Sequence, residues 1–231
     1  KSYTGSVNTT AGFSIIRYIG NGTSGHTIPH HLGVQPQLVI CKRLGQYGQW
    51  VVGSMALPNQ FEQFLELDLT GAAQTSSLRW NNTDPSSSVF TVGSTLDTNA
   101  NDINIIAYSF AQKQGYSKFG SYTGNGNADG TFVYTGFKPA YVMAKKSSTT
   151  SSWGIFDNKR NPYNVVDLRL LANTSGADDQ SSDNNIDFLS NGFKFRSSAG
   201  WNASATYIYM AFAENPFVTS TGNGSIPACA R

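Results

Sequence analysis

Three histidines, His26, His30 and His31, fall within six residues, and the chain has no others. Imidazoles at this spacing could be offered to a divalent metal. The same segment adds no Cys, Asp or Glu to the set, so packing or hydrogen bonding at a turn is the competing use. Acid–base catalysis needs two carboxylates held in a cleft. Glu62, Glu66, Asp68, Asp84, Asp157, Asp167 and the pair Asp178-Asp179 are available. Glu66 and Asp68 alternate with leucines and read as outward-facing, and Asp178-Asp179 lies in a loop rich in Gly, Ser and Asn, so solvated surface is expected. The Asp-rich run 178–183 could offer oxygens to calcium, but it lacks the regular spacing of a helix–loop–helix calcium site. Nucleophile-elbow, zinc-protease and phosphate-loop motifs are missing. No catalytic residue and no cofactor are therefore assigned.

Sugar recognition needs exposed rings flanked by amides and carboxylates, because the C–H faces of sugars stack on aromatic faces. The candidates are Trp80-Asn81-Asn82, Trp201-Asn202 and the loop Asn161-Pro162-Tyr163-Asn164. An internal repeat sorts them. Leu32-Gly33-Val34-Gln35-Pro36, then an apolar run to Lys42-Arg43, returns as Thr135-Gly136-Phe137-Lys138-Pro139 and an apolar run to Lys145-Lys146, at an offset of 103 residues. Trp50 matches Trp153, Phe90 matches Phe193, and Asn99-Ala100 matches Asn202-Ala203. Repeat-equivalent Trp50 and Trp153 suggest a shared core role. Trp80 falls opposite Asp183 and Trp201 opposite Thr98, so both are less constrained by packing and are the better candidates for surface recognition, with a partly buried strand-end aromatic as the alternative.

The elements that must position these residues read as strands. Short alternating or wholly apolar runs are separated by Gly, Asn and Pro turns, and no stretch shows helical periodicity over 11 or more residues. Strands are expected at 12–18, 38–42, 50–53, 64–69, 77–80, 89–92 and 103–111. The second copy repeats the plan at 132–135, 140–145, 153–157, 166–172, 186–189, 193–196 and 206–213. The expected architecture is all-β: two tandem antiparallel β-sandwich (jelly-roll-like) modules, 12–114 and 115–217, with a lead-in strand or linker at 1–11 and a tail at 218–231.

Charged residues make up 13% of the 231-residue chain, about half the usual share, while 39% hydrophobic and 13% aromatic content is enough to build cores. Asn, Ser, Thr and Gly fill the surface, as in rigid extracellular β-proteins. The net charge of +2 is scattered, which argues against nucleic-acid binding, and no apolar run approaches a membrane-helix length. With no initiating Met and no signal peptide, Lys1 reads as internal to a longer product. Cys41 and Cys229 read as two unpaired thiols.

The segments Ala11-Gly12-Phe13-Ser14-Ile15-Ile16, Tyr18-Ile19-Gly20-Asn21-Gly22, Pro29-His30-His31-Leu32-Gly33-Val34-Gln35-Pro36 and, in the second copy, Gly115–Gly126 and Tyr207–Phe217 resemble a repeat module of tailed-bacteriophage structural proteins. That family usually has Gly where this chain has His31. It has no established activity, so the resemblance implies no catalytic residues. It implies a virion component: a tail fibre or adhesin that binds a host surface glycan or protein, trimeric by analogy and contacting other virion proteins. A capsid decoration or head-fibre protein, and a secreted carbohydrate-binding module, are the alternatives.

Overall fold

The computed structural model describes residues 2–215, so Lys1, Cys229 and the 218–231 tail lie outside the described residues. The first half forms nine strands: β1 (Tyr3–Asn8), β2 (Phe13–Ile19), β3 (His26–Pro29), β4 (Leu38–Arg43), β5 (Trp50–Ser54), β6 (Gln63–Glu66), β7 (Gln74–Thr75), β8 (Val89–Val92) and β9 (Asn104–Phe110). The second half forms nine more: β10 (Ser117–Thr123), β11 (Phe132–Tyr134), β12 (Pro139–Lys146), β13 (Trp153–Asp157), β14 (Leu168–Leu171), β15 (Asp179–Gln180), β16 (Ile186–Leu189), β17 (Gly192–Phe195) and β18 (Thr206–Ala213). All named strand pairings are antiparallel, and the fold is all-β.

The large sheet of the first half runs β1-β2-β9-β4-β5-β6-β7, and that of the second runs β10-β18-β12-β13-β14-β15. Apart from β1, the two orders match strand for strand. Each half adds a small sheet, β3-β8 in the first and β11-β17-β16 in the second. The lead-in segment is strand β1, hydrogen-bonded along β2.

Strand β4 explains the layering. Its run Leu38-Val39-Ile40-Cys41 is buried on both faces, as a central strand requires. Val39 and Cys41 face a core shared with Ile28, Phe90 and Val92 of the small sheet. Leu38 and Ile40 face the other way, into a core shared with Phe119, Met143, Trp153, Ile208 and Met210 of the second large sheet. Val142 and Ala144 of β12 in turn face Val133, Phe188, Phe193 and Phe195 of the second small sheet. The layers therefore stack as small sheet, large sheet, large sheet, small sheet.

Some expectations need correction. Residues 77–80 are not a strand but a one-turn helix, α1 (Ser77–Trp80). A second single turn, α2 (Leu96–Asn99), follows β8. The stretch expected as a strand over 64–69 pairs only as far as Glu66, and Glu66 is not solvated: it is largely covered and ion-paired with Arg79 at 3.3 Å. Cys41 is a free, buried thiol. Among the described residues, no helix is long and apolar enough to cross a membrane.

Candidate functional site

The three histidines point to three different places. His26 Nδ1 lies 3.1 Å from Asn99 Oδ1, and its ring meets Tyr18 edge-on. His30 is buried; its Nδ1 accepts the Leu32 N–H, so Nε2 carries the proton and donates to the Ser86 carbonyl. That pairing fixes the neutral tautomer, and burial pushes the pKa down. His31 stacks on Tyr3 with ring centroids 5.5 Å apart. Among the described residues no three His, Cys, Asp or Glu side chains are grouped to hold a metal, and each histidine has its own packing or hydrogen-bond partner.

The carboxylates are held by arginines and backbone amides. Asp157 accepts from the Arg160 side chain at 2.7 Å and from the Arg160 and Lys159 backbone N–H groups at 2.9 Å, which together outweigh burial and lower its pKa, and Arg169, bonded to Asp179 at 2.6 Å, lowers that of Asp179. Asp178 lies 3.8 Å from Arg160, so the Asp-rich loop faces arginines. Asp68 accepts the Trp50 N–H, and Asp84 accepts the Phe61 N–H. Burial raises the pKa of Glu66 against the pull of Arg79.

Trp80 and Trp201 are corrected from surface to core: they are 0% and 4% exposed. Each occupies room left by a glycine in the neighbouring sheet. A Cβ on Gly53 would lie 2.8 Å from Trp80 Cε2, and one on Gly154 would collide with the ring of Trp201. Trp201 Nε1 donates to the Ala144 carbonyl at 3.1 Å, and Arg169 lies over its ring. Asn202 is also buried; its Nδ2 donates to Asn125 Oδ1 and to the Asn127 and Ser197 carbonyls, each at 2.8 Å. It pins the 124–126 turn and presents nothing to a ligand. Asn81 closes α1 in the left-handed conformation, and Asn82 beside it is exposed.

Tyr163 is the aromatic candidate that the structure places at the surface, 83% exposed. Its loop is held on both sides. Asn161 Oδ1 accepts the Leu168 N–H at 2.8 Å. Asn164 bonds both backbone groups of Phe188: Oδ1 accepts its N–H at 2.9 Å and Nδ2 donates to its carbonyl at 3.1 Å. Asn164 thereby mimics a strand residue along the free edge of β16, and Val166 extends that edge by bridging Ile186.

The same small sheet carries residues that sequence reasoning missed. Phe132 and Tyr134 of β11 are 44% and 63% exposed on its outer face. Lys194 pairs across the strands with Phe132, and its Nζ reaches Asp129 at 2.5 Å, which lowers the Asp129 pKa. Arg196 reaches Asp187 at 2.6 Å. The constant offset of 103 could not reveal this face, because the loop before β11 is longer than the one before β3 and shifts the register. A separate cleft of about 340 Å³ opens at the rim between the two large sheets, lined by Asn8, Ala11, Phe13, Phe110, Tyr116 and Phe212.

No curated protein and no solved structure matches this chain. A family described as a domain of unknown function (DUF7483) matches residues 2–216, nearly the whole chain. The chain belongs to that family.

Proposed function

We propose that this protein is a non-catalytic building block of a tailed-phage virion, carried on an exposed appendage that binds the host surface. The virion part rests on the resemblance carried by the segments from Ala11 to Pro36 and from Gly115 to Phe217. The observation that carries the recognition part is the Tyr163 loop. Two asparagines fix its backbone to β14 and β16 while its ring stands in solvent. An aromatic side chain whose backbone is fixed before contact loses little freedom on binding. Self-association into a trimer is part of the proposal, by analogy with appendages of this kind, and sedimentation of the purified chain reads it out.

The test is imaging of intact particles labelled with an antibody to this chain, together with competition for host adsorption by the purified protein. Label at a tail or fibre tip is expected, with the Tyr163→Ala protein competing about tenfold less well. Label spread over the capsid lattice would replace the adhesin by a capsid decoration protein. Particles without label would remove the virion assignment and leave a secreted carbohydrate-binding module as the next reading.

A further inference from the structure

The two small sheets form the two ends of the four-layer stack, and they have diverged on one face only. Strand pairing aligns them: Ile28 opposes Phe90 in the first, and Val133 opposes Phe193 in the second. These inward residues are alike and all buried. The outward positions differ. The first sheet carries Thr27, Pro29, Val89 and Thr91 there, and the second carries Phe132, Tyr134, Gly192 and Lys194. A bland end in one half corresponds to an aromatic end in the other.

The rings are supported from below. A Cβ on Gly192 would lie 2.9 Å from Phe132 Cε2, and one on Gly136 would lie 3.5 Å from Tyr134 Oη. The far edge of each ring thus rests over a glycine, where no side chain lifts it, and the ring's other side faces solvent. Lys194 opposes Phe132 and reaches the exposed Asp129, while Asp187, itself buried, opposes Lys194 and holds the partly exposed Arg196, so the charges beside Phe132 cancel.

We propose that the outer face of β11–β17–β16 is a saccharide-binding surface for neutral sugars. Pyranose C–H groups would stack on Phe132 and Tyr134, and ring hydroxyls would exchange hydrogen bonds with the exposed Asp129 carboxylate and with the Lys194 and Arg196 N–H groups. Charge balance selects the ligand class, since a polyanion or polycation would meet as much repulsion as attraction. Size selects it too. Three short strands span on the order of 10 Å by 10 Å, far less than the roughly 800 Å² per partner of a stable protein interface. The site names a ligand class for the attachment role proposed above and rests on that reading only for the source of the sugar.

The test uses the full chain on a printed panel of neutral hexose and N-acetylhexosamine oligosaccharides with their sulfated and sialylated counterparts. Binding to neutral members is expected. Tyr134→Ala should lose about tenfold or more in affinity with an unchanged melting temperature, and Tyr134→Phe should retain binding. A Phe132→Ala chain gives an independent second reading of the platform. Binding to no member, binding confined to the charged members, or binding unaltered in both alanine variants would overturn the proposal. Sugar binding without label on particles would overturn the virion assignment alone, and label at a fibre tip without sugar binding would overturn this site alone.

Discussion

Trp80 and Trp201 show how a residue can differ between two copies and still be fixed by packing. At the offset of 103, Val51-Val52-Gly53 stands opposite Gly154-Ile155-Phe156. The first half opens room at Gly53 and fills it with Phe61 and with Trp80 from α1. The second opens room at Gly154 and fills it from the turn at Gly200–Asn202. A position-by-position comparison sees an unmatched tryptophan and infers freedom. The compensating glycine lies in another strand, so only the three-dimensional pairing exposes it. Tyr163 was legible because Asn, Pro and Asn around a ring describe a turn by local chemistry alone. The two classes separate in an equilibrium urea titration. Trp80→Ala and Trp201→Ala should each cost about 3–5 kcal/mol, as large core truncations do. Tyr163→Ala should stay within about 0.5 kcal/mol of the parent. Tryptophan variants as mild as the tyrosine one would return both rings to the surface.

At the level of elements, the paired asparagines decide how strands enter their turns. Asn99 Oδ1 accepts the Asn21 N–H at 2.9 Å, and its Nδ2 donates to the Gly93 carbonyl at 2.7 Å and the Thr23 carbonyl at 2.8 Å. Asn202 binds the Asn125 turn in the same way. Close packing requires the adjacent glycines, since a Cβ on Gly20 or Gly124 would run into the Ala100 or Ala203 carbonyl. The equivalence of Asn99 and Asn202 was visible in the repeat. The criterion that assigned Trp50 and Trp153 to the core applies equally to these two, and following it would have withdrawn Asn202 from the ligand candidates. The single-turn helices were not legible, because four residues carry too little periodicity. For α1 the signal is local instead: Ser76 Oγ accepts the Leu78 N–H as an N-terminal cap, and Asn81 stops the turn at φ 54°. Asn99→Ala and Asn202→Ala should each destabilise by about 2–3 kcal/mol, because buried backbone groups lose their partner. Hydrogen exchange should report the loss locally, with the Asn21 amide deprotected in the first variant and the Asn125 amide in the second.

The whole molecule is built on a seam between two large sheets of matching strand order. Phe110 of β9 and Phe212 of β18, at matching positions of the two sheets, meet there with centroids 6.3 Å apart. The sequence predicted two modules but not that they would fuse face to face. A wholly apolar strand announces burial on both sides without naming what covers the second. The seam is also where the copies break symmetry. Lys42 is half-buried and donates to the Gly48 carbonyl, whereas its equivalent Lys145 is fully buried. The Lys145 ammonium donates to the Lys146 carbonyl at 2.7 Å and, across the seam, to the Thr70 carbonyl at 3.3 Å. Burial, with the Lys146 charge beside it, lowers its pKa from 10.5 to about 8. The linkage follows directly. Below pH 8 both folded and unfolded chains hold the proton, and the cost of burying the charge is fully present. Between pH 8 and 10.5 the unfolded chain binds more protons, so this group makes stability rise with pH, by at most about 3 kcal/mol. Tyr141, Tyr207 and Tyr209, raised from 10 to about 12 by burial, act in the opposite direction above pH 10. A Lys145→Met chain isolates the lysine. The Thr70 carbonyl keeps the Ser151 N–H at 2.9 Å in that variant, so the seam retains a backbone bond there. Urea unfolding at a series of pH values should show the parent gaining on the variant from pH 8 to 10. A constant difference over that range would mean that Lys145 titrates as an ordinary lysine and that the seam carries no buried charge.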